Sequence, residues 1–128
     1  MAVQNIRIPF HKPFLGHRAL DAVRAALDSG NISGDGPVSK TVEAKLRALF
    51  GVRHAMLTTS CTHALEMAMM MLDLRPGDEV ILPSFTFVST ANAVLRSGGK
   101  PVFCDINDRT LTIDAGTIER LLTPRTRA

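Results

Sequence analysis

The clearest chemical feature of the sequence is a cluster of hydroxyl-bearing residues directly before a predicted helix. The cluster reads Thr58-Thr59-Ser60-Cys61-Thr62-His63. The first backbone N–H groups of a helix have no partner inside the helix, and the helix dipole favours negative charge there. The hydroxyl groups can add hydrogen-bond donors, and Thr62 is the best placed of them. The pattern therefore predicts an anion-binding site at the start of this helix.

A second loop, Pro83-Ser84-Phe85-Thr86-Phe87, enters the next predicted helix and carries two aromatic side chains. In an open parallel sheet, ligands bind beyond the carboxyl ends of the strands, and both loops are expected at that edge. A flat ring beside an anion site suits a phosphorylated aromatic cofactor, because planar rings stack. On spacing alone, however, we favour the alternative that the hydroxyl cluster only caps a helix and that both phenylalanines belong to the core.

Helices and strands alternate along the chain. Apolar residues at helical spacing predict helices over residues 17–29, 39–50, 60–72 and 85–97, and a last helix capped by Asp114 and ending near residue 122. Short apolar runs predict strands over residues 54–58, 79–82 and 101–105. This alternation predicts a parallel α/β sheet. Residues 123–128 fall where the next strand should begin, so we expect a front piece of a longer chain.

Local signals predict how these helices begin, end and pack. Gly30 and Gly51 should close the first two helices, and Ser60 should cap the third. The third helix is apolar nearly all round, so we expect it to be largely buried. Its methionines, between Met67 and Met71, are then core residues, although they would form an exposed apolar patch if their covering elements were missing.

Composition excludes several classes of protein. The 128 residues are 45% hydrophobic and 21% charged, with interspersed charges and a net charge of +3, which argues against nucleic-acid binding. No apolar run is long enough to span a bilayer, and the first residues do not include the apolar stretch typical of a signal peptide. Cys61 and Cys104 form no CxxC pair and the four histidines lack the spacing of metal ligands, so we expect no metal site. With only two cysteines we also expect no disulfide scaffold, and therefore a reduced, cytoplasmic protein.

Several motifs, taken in order, resemble one enzyme family. They are Gly34-Asp35-Gly36, the segment Thr-Ser-Cys-Thr-His-Ala-Leu-Glu-Met-Ala at 59–68, Arg-Pro-Gly-Asp-Glu-Val-Ile at 75–81, Pro-Ser-Phe-Thr-Phe-Val-Ser-Thr-Ala-Asn at 83–92, and Thr-Leu-Thr-Ile-Asp at 110–114. Together they resemble the DegT/StrS-type nucleotide-sugar aminotransferases, which use pyridoxal 5'-phosphate (PLP). The resemblance implies a three-layer αβα fold with a mostly parallel sheet, as part of an aspartate-aminotransferase-like (PLP fold type I) large domain.

The resemblance also implies site residues. Thr62 and His63 would bind the PLP phosphate through backbone N–H groups and the threonine hydroxyl, and Phe87 would stack on the pyridine ring. The full set of expected cofactor-binding residues is Ser60, Cys61, Thr62, His63 and Phe87. The segment Gly34-Asp35-Gly36 is expected to approach the nucleotide sugar, or to be simply a turn.

The activity implied by the resemblance is transfer of an amino group from glutamate to a dTDP-4-keto-6-deoxyhexose, at active sites on a homodimer interface. This reaction supplies amino sugars for surface polysaccharide. The family's Schiff-base lysine and ring-pairing aspartate belong to motifs beyond residue 128. Lys12, Lys40, Lys45 and Lys100 match no such motif and are expected on the surface. We therefore assign no catalytic residue and expect the chain alone to be inactive.

Two further expectations concern domains and alternatives. Residues 1–36 are predicted to form an arm, a helix and a loop, and residues 37–128 the first part of the large domain. A non-catalytic α/β module that binds a phosphate-bearing ligand or regulates a partner is the main alternative. A flavodoxin-like nucleotide binder would fit the alternation of elements but none of the motifs.

Overall fold

The computed structural model describes Pro9 and residues 11–128, which fall into two compact units. The first unit ends at Leu57 and contains helices α1 (Ala19–Asp28) and α2 (Pro37–Phe50). The second unit, Thr58–Ala128, contains α3 (Cys61–Met71), β1 (Glu79–Pro83), α4 (Ser89–Arg96), β2 (Lys100–Cys104) and α5 (Ala115–Leu121). Most of the predicted N-terminal arm lies outside the described residues. The division between residues 1–36 and 37–128 stays a prediction.

Both helices of the first unit end as predicted. Gly30 and Gly51 adopt φ values of 68° and 65°, which glycine tolerates because it has no Cβ. Helix α2 begins two residues before the predicted start because Pro37 occupies its first turn, where a missing N–H costs nothing. In this unit Glu43 is a buried residue, with 7% of its surface exposed.

The predicted strand at residues 54–58 is wrong. The Leu57 N–H donates to the Glu43 carboxylate at 3.2 Å, so side-chain bonding to α2 replaces sheet pairing at this point. A short apolar run becomes a strand only where a neighbouring strand can pair with it. Within the described residues the named strands of the sheet are β1 and β2.

The sheet of the second unit is parallel, which confirms the predicted α/β class. Strands β1 and β2 pair from Glu79 opposite Lys100 to Pro83 opposite Cys104, with α4 as the crossover. The core beneath them consists of Val80, Leu82 and Val94, with Met69, Leu74 and Ala91 packed against it. Helix α4 begins at Ser89, four residues later than predicted, because residues 84–88 form the loop that leaves β1.

The last residues pair beside β1, where a further strand was expected. The Glu79 N–H donates to the Arg125 carbonyl at 2.9 Å, and the Ile81 N–H donates to the Ala128 carbonyl at 2.9 Å. A parallel bridge joins Glu79 to Thr126. Residues 125–128 therefore extend the sheet on the side of β1 opposite to β2.

Glu79 anchors this tail through its side chain as well as its backbone. Glu79 is 3% exposed, and its carboxylate accepts hydrogen bonds from Thr123 Oγ1 at 2.7 Å, Arg125 Nη2 at 3.0 Å and Lys100 Nζ at 3.1 Å. The Thr123 and Lys100 hydrogen bonds, together with the Arg125 charge, lower the pKa of the Glu79 carboxyl from 4.5 to about 2. We call these four side chains the Glu79 cluster.

Helix α3 is more exposed than its composition predicts. Met70 and Met71 are 74% and 83% exposed, although Met69 packs toward the core. Among the described elements, α3 packs against α4, which covers one of its faces. The prediction of a largely buried helix is therefore wrong for the described residues, because burial depends on what packs against a helix. No described helix has both the length and the apolar character needed to cross a bilayer.

Candidate cofactor-binding site

Ser60 caps helix α3, as predicted. Its backbone is extended, with φ −160° and ψ 161°, and its Oγ accepts a hydrogen bond from the His63 N–H at 3.2 Å. This arrangement satisfies one of the N–H groups that the helix leaves without an internal acceptor. The serine side chain therefore holds the helix start in place.

The two threonines before Ser60 also bond within the loop. Thr58 Oγ1 donates to the Ser60 carbonyl at 2.8 Å, and Thr59 Oγ1 is hydrogen-bonded to Nδ1 of the His63 ring. The side chains of residues 58–60 thus fix the conformation of the segment that enters α3. A loop fixed in this way is ordered before a ligand arrives, which lowers the entropic cost of binding.

The remaining donors at the helix start are unused. Within residues 11–128, no protein group hydrogen-bonds to the N–H groups of Cys61 and Thr62 or to the hydroxyl of Thr62. The first turn of α3 contains no acidic residue. Two free amides, a free hydroxyl and the positive end of an 11-residue helix form a donor set that suits a phosphate dianion. The PLP phosphate fits these residues chemically.

The start of α3 points to the same side of the sheet as the start of α4. The ends of both helices line one cavity, to which α3 and the residues after it contribute Asp73 and Leu74, and α4 and its C-cap contribute Arg96 and Ser97. Helix α4 runs from the carboxyl end of β1 to the amino end of β2, as any parallel crossover must. Helix α3 runs beside it in the same direction, so both helices begin toward the carboxyl edge of the sheet.

The loop between β1 and α4 exposes its two aromatic rings. Phe85 and Phe87 are 65% and 73% exposed, so the alternative that both belong to the core is wrong for the described structure. The loop is held by a hydrogen bond between the Thr86 and Thr90 hydroxyls at 2.9 Å. An exposed ring near the start of α4 is available for stacking. The contact between Phe87 and a cofactor stays a prediction.

The segment Gly34-Asp35-Gly36 lies in the first unit and forms the turn before α2. Asp35 has a φ of 61°, and its carboxylate pairs with the Lys40 ammonium. This hydrogen bond is the main cause of the raised pKa of Lys40. Gly36 precedes Pro37 in an extended conformation, as a residue before proline prefers. The structure explains the segment as a turn, and its role in binding a substrate stays a prediction.

The four lysines lie on the surface. Lys12, Lys40, Lys45 and Lys100 are all exposed, and the last pairs with Glu79 at 3.1 Å. Among the residues that the structure describes, no group of three or more His, Cys, Asp or Glu side chains is arranged to hold a metal ion. Sequence reasoning missed the bond between Thr59 and His63. Its signal was the spacing of four residues across a helix start, where side chains meet.

The sequence of this chain matches a family model and many curated relatives, among them the two described next. The model of the DegT/DnrJ/EryC1/StrS aminotransferase family matches residues 13–128. The spore coat polysaccharide biosynthesis protein SpsC of Bacillus subtilis is 40% identical over 125 residues, covering 98% of this chain and 32% of the relative. A dTDP-4-dehydro-2,3,6-trideoxy-D-glucose 4-aminotransferase of Saccharopolyspora spinosa is 42% identical over 123 residues, covering 94% and 32%.

Solved structures show the same similarity. The aminotransferase TlmJ of Streptoalloteichus hindustanus superposes with a TM-score of 0.80 at 38% identity, covering 94% of this chain and 33% of the other. A sugar aminotransferase of Streptococcus pneumoniae, solved in its PLP form, superposes with a TM-score of 0.77 at 30% identity, covering 94% and 31%. This chain therefore spans about a third of the length of these proteins.

Proposed function

Because the chain belongs to the DegT/DnrJ/EryC1/StrS aminotransferase family, we propose that it forms the part of a sugar aminotransferase that binds the phosphate of PLP. The Cys61 and Thr62 N–H groups and the Thr62 hydroxyl donate to the phosphate oxygens. Ser60 and His63 keep those donors aligned through the cap. The family match and the free donors at the start of α3 support this assignment.

The residues of this chain bind and orient the cofactor. When bound, PLP supplies a carbonyl carbon that can carry an amino group and a ring that can accept electrons. Three fixed donors would hold the phosphate end of PLP, and this would restrict the orientation of its pyridine ring. We propose that the Phe87 ring stacks on the pyridine ring and excludes water from one face. The exposure of Phe87 supports this role, since a buried ring could not make the contact.

We propose a nucleotide sugar as the amino acceptor. The relative from Saccharopolyspora spinosa acts on a dTDP-linked keto sugar, and the one from Bacillus subtilis takes part in making a spore coat polysaccharide. The finer proposal is a dTDP-4-keto-6-deoxyhexose, with glutamate as donor and surface polysaccharide as the destination. The whole protein is proposed to act as a homodimer, with Gly34-Asp35-Gly36 near the sugar nucleotide. A non-catalytic module is not favoured by the match to aminotransferases.

The 128-residue chain alone is proposed not to transaminate. A lysine must be uncharged to bond to the PLP carbonyl, whereas Lys40 and Lys100 each pair with a carboxylate on the surface. Incubation with PLP, borohydride reduction and peptide mapping should reveal no lysine modified in stoichiometric yield. A single lysine that carries one pyridoxyl group per chain would contradict the proposal.

The observation that carries the phosphate site is the free N–H of Cys61, and it can be removed alone. Proline is tolerated at the first position of a helix, and Ser60 already has the extended conformation that a residue before proline requires. The substitution Cys61→Pro therefore deletes one donor and keeps the helix. Cys61→Ala removes only the thiol and is the matched control.

PLP binding should distinguish the two variants. We expect Cys61→Ala to bind like the unmodified chain and Cys61→Pro to bind about tenfold more weakly, since hydrogen bonds to charged groups are strong. Thr62→Val should weaken binding similarly, whereas Thr41→Val, which removes a hydroxyl bonded to the Pro37 carbonyl in α2, should not. Circular dichroism checks that each variant keeps its helices. Equal binding by Cys61→Pro and Cys61→Ala would refute the phosphate site.

A further inference from the structure

The phosphate site described above does not use the side chain of His63, although a hydrogen bond to Thr59 fixes the position of its ring. We propose that Thr59 holds the His63 imidazole beside the phosphate-binding donors, and that the ring strengthens anion binding when it carries a proton. This inference rests on the proposed phosphate site. It makes His63 an anion-binding residue through its side chain and Thr59 a positioning residue.

The geometry places the ring at the helix start. His63 occupies the third position of α3, where side chains point back toward the amino terminus. Its Nδ1 is hydrogen-bonded to Thr59, a residue that precedes the Ser60 cap. The ring therefore lies over the loop, on the same end of the helix as the free amides of Cys61 and Thr62.

The backbone N–H of His63 is already used. It donates to Ser60 Oγ at 3.2 Å, so the side chain is the part of this residue that remains for a ligand. With Nδ1 bonded to Thr59, the second ring nitrogen has no partner among the described residues. That nitrogen is a donor in the protonated ring and in one neutral tautomer.

The contact with Thr59 suits both charge states of the ring. A threonine hydroxyl can donate to an unprotonated Nδ1 and can accept from a protonated one. The ring can therefore gain a proton without losing its hydrogen bond or its place. A proton gained by the ring therefore adds positive charge at the end of the helix where the anion binds.

The titratable and charged groups on α3 and on α4, which packs against it, are few. The titratable groups on α3 besides His63 are Cys61 and Glu66, and α4, which packs against α3, contributes Arg96. Glu66 lies one turn after His63, but its carboxylate pairs with Arg96 at 3.2 Å. This pairing reduces the attraction that Glu66 would exert on a protonated ring. A positive charge on the His63 ring would therefore act mainly on the ligand.

Inorganic sulfate is a suitable probe, because it stays a dianion between about pH 5 and about pH 8, where phosphate and histidine both titrate. Sulfate affinity of the 128-residue chain is measured by NMR, from the amide shifts of Cys61 and Thr62 at constant ionic strength. We expect the affinity to rise about three- to tenfold toward acid pH, as expected for a charge near an anion in a partly solvated site.

Variants separate the ring from the fold. In His63→Gln the increase in sulfate affinity toward acid pH should disappear. In Thr59→Val this increase should be smaller, because the ring is no longer held. Thr59→Ser keeps the hydroxyl and should show the same increase as the unmodified chain. His54→Gln removes an exposed histidine of the first unit and should change nothing. The amide spectrum reports the fold of each variant, and Thr59→Val tests the inference even if His63→Gln does not fold.

The outcomes distinguish the inference from the proposed function. Sulfate binding that rises equally toward acid pH in the unmodified chain, His63→Gln and Thr59→Val would overturn the role of the ring and leave the phosphate site standing. A flat pH profile in the unmodified chain would do the same. Absence of sulfate binding at Cys61 and Thr62 at every pH would overturn both.

Discussion

In the second unit, the polar groups at the amino end of β1 are hydrogen-bonded, whereas those at the start of α3 are not. At the amino end of β1, the buried carboxylate of Glu79 receives hydrogen bonds from three side chains and holds the chain's last residues against the strand. At the start of α3, the amides of Cys61 and Thr62 have no partner within the described residues. Satisfied polar groups stabilise a fold, whereas unsatisfied donors that remain accessible are available to a ligand. The comparison assigns stability to the Glu79 cluster and binding to the helix start.

The largest effect on stability should follow from Glu79→Gln. The change removes the charge that Lys100 and Arg125 face and should release residues 125–128 from β1. Amide hydrogen exchange at Ile81 and Arg127, whose N–H groups bond across this junction, should accelerate by about tenfold or more. Glu119→Gln, on the exposed surface of α5, is the control and should leave both rates unchanged. PLP binding should persist, since the helix start is not touched.

Acid should weaken the same junction. The pKa of the Glu79 carboxyl is about 2 in the folded chain and 4.5 ordinarily, so folding favours the ionised form. Its contribution to stability is therefore fully present above about pH 4.5 and is lost as the pH falls toward 2. Urea denaturation between neutral pH and about pH 2 should show the unmodified chain and Glu79→Gln converging in stability. A constant difference across this range would contradict the assignment.

Ser60→Ala should have a smaller effect on stability and a visible effect on binding. Loss of a serine N-cap costs about 1 kcal/mol, and it frees the His63 N–H from its acceptor. We expect lower stability by that amount in urea denaturation and weaker PLP binding, because the donors of α3 are less well aligned. Ser39→Ala, in the first turn of α2, serves as the control, because the Ser39 hydroxyl makes no hydrogen bond within residues 11–128. Stronger PLP binding by Ser60→Ala would argue that the serine competes with the ligand.

Phe87→Leu should have the smallest effect on stability, because the ring is 73% exposed. If it stacks on the cofactor, its loss weakens PLP binding about threefold to tenfold but leaves sulfate binding unchanged, since aromatic pairs contribute about 1 kcal/mol. Phe85→Leu is the matched control in the same loop and should change neither. Equal losses in the two variants would show that the loop, and not one ring, supports binding.

Local signals in the sequence predict the helices well. Ser60 and Asp114 cap α3 and α5 through side-chain oxygens, and Gly30 and Gly51 take left-handed conformations, all at the expected positions. Each of these features depends on residues within one or two turns of each other. The parallel class of the sheet follows from the alternation of elements, which is also a feature of sequence order.

Features that depend on distant partners were not predicted. The 54–58 segment failed to pair because its Leu57 N–H bonds to Glu43, 14 residues earlier in the chain. In the Glu79 cluster, Thr123 and Arg125 bond to Glu79 from 44 and 46 positions away in the sequence, and no local pattern predicts these contacts. The free donors of α3 were predicted as a site, but the capture of the His63 ring by Thr59 required coordinates.

The most direct test of the phosphate site is an NMR titration of the unmodified 128-residue chain with PLP and, separately, with pyridoxal, which lacks the phosphate. We predict that PLP shifts the amide resonances of Cys61 and Thr62 most strongly, as expected for new hydrogen bonds to an anion. Pyridoxal should leave these two resonances in place. Shifts of equal size with both compounds, or shifts confined to other residues, would contradict the assignment of the start of α3 as the phosphate site.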